Sequence, residues 1–180
     1  MKLVFVSDIH GKFDALKVAL AAAEAEAPDL FVLGGDLLAN GPRNGVFAGY
    51  DPAPCVPLLN AWADRVVAVR GNCDAEVDQM LLSFPLMADY AHLVVDGQRF
   101  FVTHGHRFFG DELPPLPLGT IVVSGHTHLP GIGVDRGLTF FNPGSIALPK
   151  GGHPATYGVW TPGQGLQLKT LDGRAYRPPA

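Results

Sequence analysis

With 180 residues, 47% of them hydrophobic and 17% charged, the chain has the size of one domain and the composition of a folded one. Disorder is excluded, because a chain so apolar and so weakly charged buries enough surface to offset the chain entropy it loses. The formal net charge is −4 and no run of Lys and Arg occurs, which argues against a grip on a nucleic-acid polymer.

Lys2 to Val6 is a short apolar run ending in Ser7 and Asp8, the pattern of a strand buried on both faces. Its polar end is where α/β sheets place their chemistry. The run is too short for a signal-peptide core, and no apolar run of about 18 residues follows, so no membrane partner is expected. Past Gly11, the spacing of Phe13, Leu16 and Leu20 in an alanine-rich stretch predicts a helix of about three to four turns, closed by Pro28. Leu30 to Leu33 repeats the strand pattern and delivers Gly34-Gly35-Asp36. A helix over Val56 to Trp62 and a strand over Val66 to Val69 come next, delivering Gly71-Asn72-Cys73-Asp74.

The second half changes character. Leu93 to Val95, the turn pair Asp96-Gly97 and Arg99 to Thr103 predict a β-hairpin that runs into His104-Gly105-His106. Thr120 to Val123 predicts a strand delivered into Ser124-Gly125-His126-Thr127-His128, with short strands near Ile132 to Val134, Leu138 to Phe141, Thr156 to Trp160 and Leu166 to Leu171. No repeat or linker divides the chain, so one layered α/β domain over residues 1–180, its two sheets sharing a core, is expected. Two cysteines, Cys55 and Cys73, cannot form a disulfide framework, which fits a reducing, cytoplasmic compartment.

Taken singly, an Asp after a strand reads as a helix cap or turn former, and a lone His as a satisfied residue. Together these clusters resist that reading: strand after strand ends in an Asp, Asn or His, with Gly11, Gly35, Gly71, Gly105 and Gly125 available for close backbone approach. Burying so many polar groups uncompensated costs at least about several kcal/mol, so the residue types point to metal ligands.

In chain order the strings DIH, GGD, GNCD, THGH and SGHTH resemble those of the calcineurin-like metallophosphoesterases, over roughly Lys2 to Tyr157. The further strings GPRN, RGNCDAEVDQM, THGHRFFG and NPGSIALPKGG are similar to the bacterial YfcE-type phosphodiesterases. The resemblance implies a two-sheet β-sandwich flanked by helices. It places Asp8, His10, Asp36 and His128 on one divalent ion and Asp36, Asn72, His104 and His126 on a second, with Asp36 as the bridge. The implied activity is hydrolysis of small phosphate diesters by in-line attack of a metal-bridging hydroxide. Two dications, two carboxylates and a hydroxide leave about one positive charge to attract an anionic ester. The resemblance favours Mn2+, while the His and carboxylate donors also suit Fe, Co, Ni or Zn.

Two departures from the wider family stand out. Where many relatives carry a histidine acid after the metal-binding asparagine, this chain has Cys73, so Cys73 and His106 are the candidates to protonate the leaving oxygen, each with a plain structural alternative. Where relatives carry an arginine after the bridging aspartate, this chain has Asn40; Asn40 and Arg43 are the candidate substrate-binding residues, with Arg43 the candidate guanidinium for phosphate. Phe47 and Tyr50 either wall the pocket or pack on the domain, and His92 and His153 are read as surface residues. The rival readings are a phosphomonoesterase or nucleotide hydrolase of the same fold, and a non-catalytic scaffold of the retromer-subunit type. The presence of all seven ligands weighs against the scaffold. A homo-oligomer is compatible with the sequence.

Overall fold

β1 (Leu3–Val6) is buried along its whole length because its side chains serve two cores. Leu3 and Phe5 pack into a layer between two sheets, and Val4 and Val6 pack against helices on the other face. The computed structural model describes residues 1–179. β1 lies beside β2 (Leu30–Leu33), which lies beside β3 (Val66–Ala68), all three parallel. On the other side β9 (Thr156–Thr161) runs antiparallel to β1, followed by β10 (Gly165–Thr170) and the two-residue β11 (Ala175–Tyr176). Among the described residues this sheet has the order β11-β10-β9-β1-β2-β3.

The second sheet has the order β4-β5-β6-β8-β7. It is built from the predicted hairpin β4 (Tyr90–Val95) and β5 (Gln98–Thr103), from β6 (Ile121–Val123), and from the antiparallel pair β7 (Gly131–Asp135) and β8 (Leu138–Asn142). β5, β6 and β8 are parallel, with Val102 level with Val123 and Val123 level with Phe141. Phe5 joins the sheets, its ring 5.3 Å from Phe141 and 6.0 Å from Phe100. The layered α/β domain expected from the strand pattern, and the two-sheet sandwich that the resemblance implies, are therefore the observed architecture.

α1 (Phe13–Ala25) buries Leu16, Ala19, Leu20 and Ala23, one stripe at helical spacing, against the first sheet. It stops before Ala27, which takes a left-handed backbone ahead of Pro28. α2 (Cys55–Asn60) buries Cys55 and Leu59, and Trp62 beyond it stacks on Phe31 of β2 at 3.6 Å. α3 (Glu76–Leu81) and β11 are elements the sequence pattern does not predict. No helix among the described residues is long and apolar enough to cross a membrane.

Candidate metal centre

The parallel registers bring the C-terminal ends of β1, β2 and β3 to one edge of the first sheet, and those of β5 and β6 to the matching edge of the second. The loops that leave these ends are tied to each other. Asp8 N–H donates to Gly35 O (3.1 Å), His10 N–H to Asp36 O (2.8 Å), Gly11 N–H to Leu37 O (3.0 Å), and Gly125 N–H to His104 O (2.9 Å). Asp8, His10, Asp36, His126 and His128 all take left-handed backbone angles, φ between 45° and 66°. For a residue with a Cβ that conformation costs on the order of 1–2 kcal/mol, and such strain persists where surrounding bonds over-determine it.

Asp8, His10 and His128 come together first. His10 Nδ1 lies 3.2 Å from Ala39 O and His128 Nδ1 lies 2.6 Å from Leu148 O. A carbonyl only accepts, so both Nδ1 atoms carry a proton, which leaves Nε2 of each ring as the atom able to present a lone pair to a cation. Those two Nε2 atoms stand 3.3 Å apart, and His128 Nε2 is 3.2 Å from Asp8 Oδ1. Asp8 Oδ1 is buried with no hydrogen-bond partner, while Oδ2 accepts from Ser7 Oγ (2.7 Å) and from His126 N–H (3.1 Å). Two lone pairs and an orphaned carboxylate oxygen facing one point repel one another unless a cation lies among them. The residues present fit a divalent ion.

The second group centres on Asp36. Its Oδ1 accepts from Cys73 N–H (2.8 Å), leaving Oδ2 to face both His10 Nε2 (3.7 Å) and His104 Nε2 (3.5 Å). Oδ2 is thus the oxygen of Asp36 that both imidazoles face. His104 Nδ1 lies 2.7 Å from Gly34 O, and its Nε2 lies 3.1 Å from Asn72 Oδ1. Burial acts against a charge on His104, but the Asp36 hydrogen bond and the Asp8 and Asp36 charges outweigh it and lift its pKa to about 9. Burial would also raise Asp36, yet its bonds to His104 and the Cys73 amide hold it well below the usual carboxylate range. So anionic a pocket draws in a proton or a metal ion. His126 stands further out and half-buried, its ring 5.2 Å from that of His104.

A cleft of about 550 Å³ opens over these groups, lined by His10, Asp36, Asn72, Cys73, His126 and His128, with Gly41 to Asn44 and Lys150 at its rim. Arg43 is exposed there, near enough to Cys73 and His126 to act on both electrostatically. Asn40 is placed differently from the expectation: it does not line the cleft, its side-chain Nδ2 donates to Gly45 O and its backbone carbonyl accepts from Asn44 Nδ2 (2.7 Å), so it shapes the loop that carries Arg43. Phe47 and Tyr50 pack on each other and beside Lys12, outside the cleft. Burial and the Asp36 charge push the Cys73 thiol up to about 12, so it keeps its proton. Burial, with the neighbouring His104 and His126, lowers His106 to about 4. His92 is exposed on β4, whereas His153 is half-buried with Nδ1 2.7 Å from the Tyr176 hydroxyl.

Four contributors escape the sequence reading. Ser7 bonds Asp8, Ser145 Oγ donates to Asp8 O (2.7 Å), Lys150 N–H donates to His128 O (3.3 Å) and Asp74 accepts from the Asp36 loop. Ser145 and Lys150 lie within NPGSIALPKGG, a string legible as a motif without its contacts being so.

Residues 1–164 match the family model of the calcineurin-like phosphoesterase superfamily domain. The chain belongs to this superfamily. The calcineurin-like chain is 49% identical over 160 residues to phosphodiesterase YfcE of Escherichia coli strain K12, covering 88% of this chain and 86% of that protein. It is 27% identical over 172 residues to the probable metallophosphoesterase YsnB of Bacillus subtilis strain 168, covering 89% and 84%. The solved structure of the E. coli phosphoesterase Yfce superposes with a TM-score of 0.93 at 44% identity, covering 98% of this chain and 97% of that one.

Proposed function

We propose that this chain is a dinuclear metal-dependent phosphodiesterase that hydrolyses small phosphate diesters, its residues 1–180 acting as one catalytic domain. The observation that carries the reading is the set of Nε2 atoms of His10, His128 and His104, gathered around the Asp8 and Asp36 carboxylates at 3.2 to 3.8 Å. Asp8, His10, Asp36 and His128 hold one ion and Asp36, Asn72, His104 and His126 the other, with manganese favoured. When bound, the two ions supply an activated water for in-line attack on phosphorus and Lewis-acid charge on a phosphoryl oxygen.

The protein does the rest. Backbone carbonyls fix the histidine tautomers, and the Arg43 guanidinium at the rim offers a two-pronged donor to the phosphoryl group. Lys150, on a segment tied to His128, adds a second rim cation. Cys73 and His106 are the two candidate proton donors to the leaving oxygen. Similarity to a protein named a phosphodiesterase supports diesters over monoesters, and a net charge of −4 supports small esters over a nucleic-acid polymer. The free cysteines Cys55 and Cys73 suit a cytoplasmic location.

The test is a panel of aryl phosphodiesters and matched monoesters assayed with Mn2+. Diesters should be hydrolysed faster, and Arg43→Ala should lower kcat/KM on them by about 10- to 100-fold, the cost of a charged hydrogen bond. Faster monoester turnover would contradict the diester reading, and unchanged kinetics in Arg43→Ala would remove that arginine from it.

A further inference from the structure

The backbone around Asp36 is held in a conformation it does not prefer. Asp36 stands at φ 54° directly after Gly35 at φ 92°, and a left-handed residue with a Cβ needs outside support. That support comes from one buried side chain on the loop after β3. Asp74 Oδ2 accepts the Asp36 amide (2.7 Å) and the Gly71 amide (2.7 Å), and Oδ1 accepts the Leu37 amide (2.8 Å). One carboxylate thereby ties the loop after β2 to the loop after β3. The next residue back, Cys73, donates the amide that occupies Asp36 Oδ1. The tie therefore also sets the donor that turns Oδ2 toward His10 and His104. Close approach is obligatory, since a Cβ at Gly71 would overlap the Asp36 carboxylate and amide. Asp74 does not line the cleft, so it reaches no substrate.

We infer that Asp74 is the positioning residue for Asp36, fixing through three amides which oxygen of that carboxylate is presented to the metal centre. This rests on the proposed role of Asp36 as a ligand shared by two ions. Because the ligand is shared, disturbing it weakens both ions together. Asp74→Asn keeps the volume but sets an amide NH2 against at least one of the three N–H donors.

The experiment is calorimetric titration of metal-stripped protein with Mn2+, beside thermal melts without metal and activity at saturating Mn2+. The control is Asp78→Asn, another buried carboxylate, which caps Ala75 (2.8 Å) and does not touch the Asp36 loop. In Asp74→Asn the affinity for both Mn2+ ions should fall by about 10- to 100-fold, the range for groups that orient metal ligands. The Mn2+ concentration for half-maximal activity should rise in parallel, with kcat at saturation within several-fold of the parent. Asp78→Asn should bind Mn2+ normally. Unchanged Mn2+ affinity in Asp74→Asn, with only a lower melting temperature, would overturn the inference. If that variant does not fold, Asp74→Glu keeps both acceptors on a longer arm and should show the same paired weakening, and normal affinity there would equally overturn it. Fewer than two Mn2+ ions per parent chain would instead strike the underlying reading of Asp36.

Discussion

At the scale of single residues, the centre is defined by which imidazole nitrogen faces it. Each of His10, His104 and His128 spends Nδ1 on a backbone carbonyl, at Ala39, Gly34 and Leu148. The sequence shows which residue types arrive, because Asp, Asn and His after apolar strands have no better explanation. It does not show Ser145 bonding Asp8 across 137 positions, since such a bond has no local pattern. The leaving-group end of the cleft carries the chemical prediction at this scale. Cys73 lines the cleft next to Asn72 and keeps its proton, so it is a poor donor to a departing alkoxide. Rates across diesters graded by leaving-group pKa should fall steeply in the parent. A Cys73→His variant should rescue alkyl esters by about 10²- to 10⁴-fold, the usual range for general acid catalysis. A shallow dependence in the parent that steepens in His106→Ala would identify His106 as the acid, and a shallow dependence in the parent, Cys73→His and His106→Ala alike would refute this account of the leaving group.

At the scale of elements, short strands do two jobs, which is why their sequences were easy to read. β1 alternates Leu3 and Phe5 toward the second sheet with Val4 and Val6 toward the helices, and an uninterrupted apolar run is the signature of that double burial. α3 carries no apolar stripe for a sequence pattern to show, because Val77, Met80 and Leu81 are exposed. Asn40 shows the opposite failure: its place in the chain suggested substrate, while its amide is consumed by the turn at Gly45. Phe5 is 1% exposed and touches Phe100 and Phe141 across the sandwich. Phe5→Ala should cost about 3–5 kcal/mol in urea unfolding of the metal-free protein. Val134→Ala, at a residue 77% exposed, should stay within about 0.5 kcal/mol. Equal costs would contradict the layered core.

At the scale of the whole molecule, the strand order is what the sequence withheld. β9 inserts beside β1 although about 150 positions separate them, and β8 lies between β6 and β7; pairings of that range leave no local mark. Yet the order produces the site. Parallel strands in both sheets end at matching edges, so loops from two halves of the chain meet over one cleft. The apolar layer between the sheets fixes how far apart those edges lie. Asp36 sits where the halves join, with His10 on one side and His104 on the other. The central claim is that this one carboxylate serves two ions, and metal counting on purified protein tests it most directly. Metal-stripped parent chain should take up two Mn2+ ions and regain hydrolysis, whereas Asp36→Ala should lose tight binding of both and with it the activity. An Asp36→Ala protein that still bound two ions per chain and turned over diesters at the parental rate would contradict it.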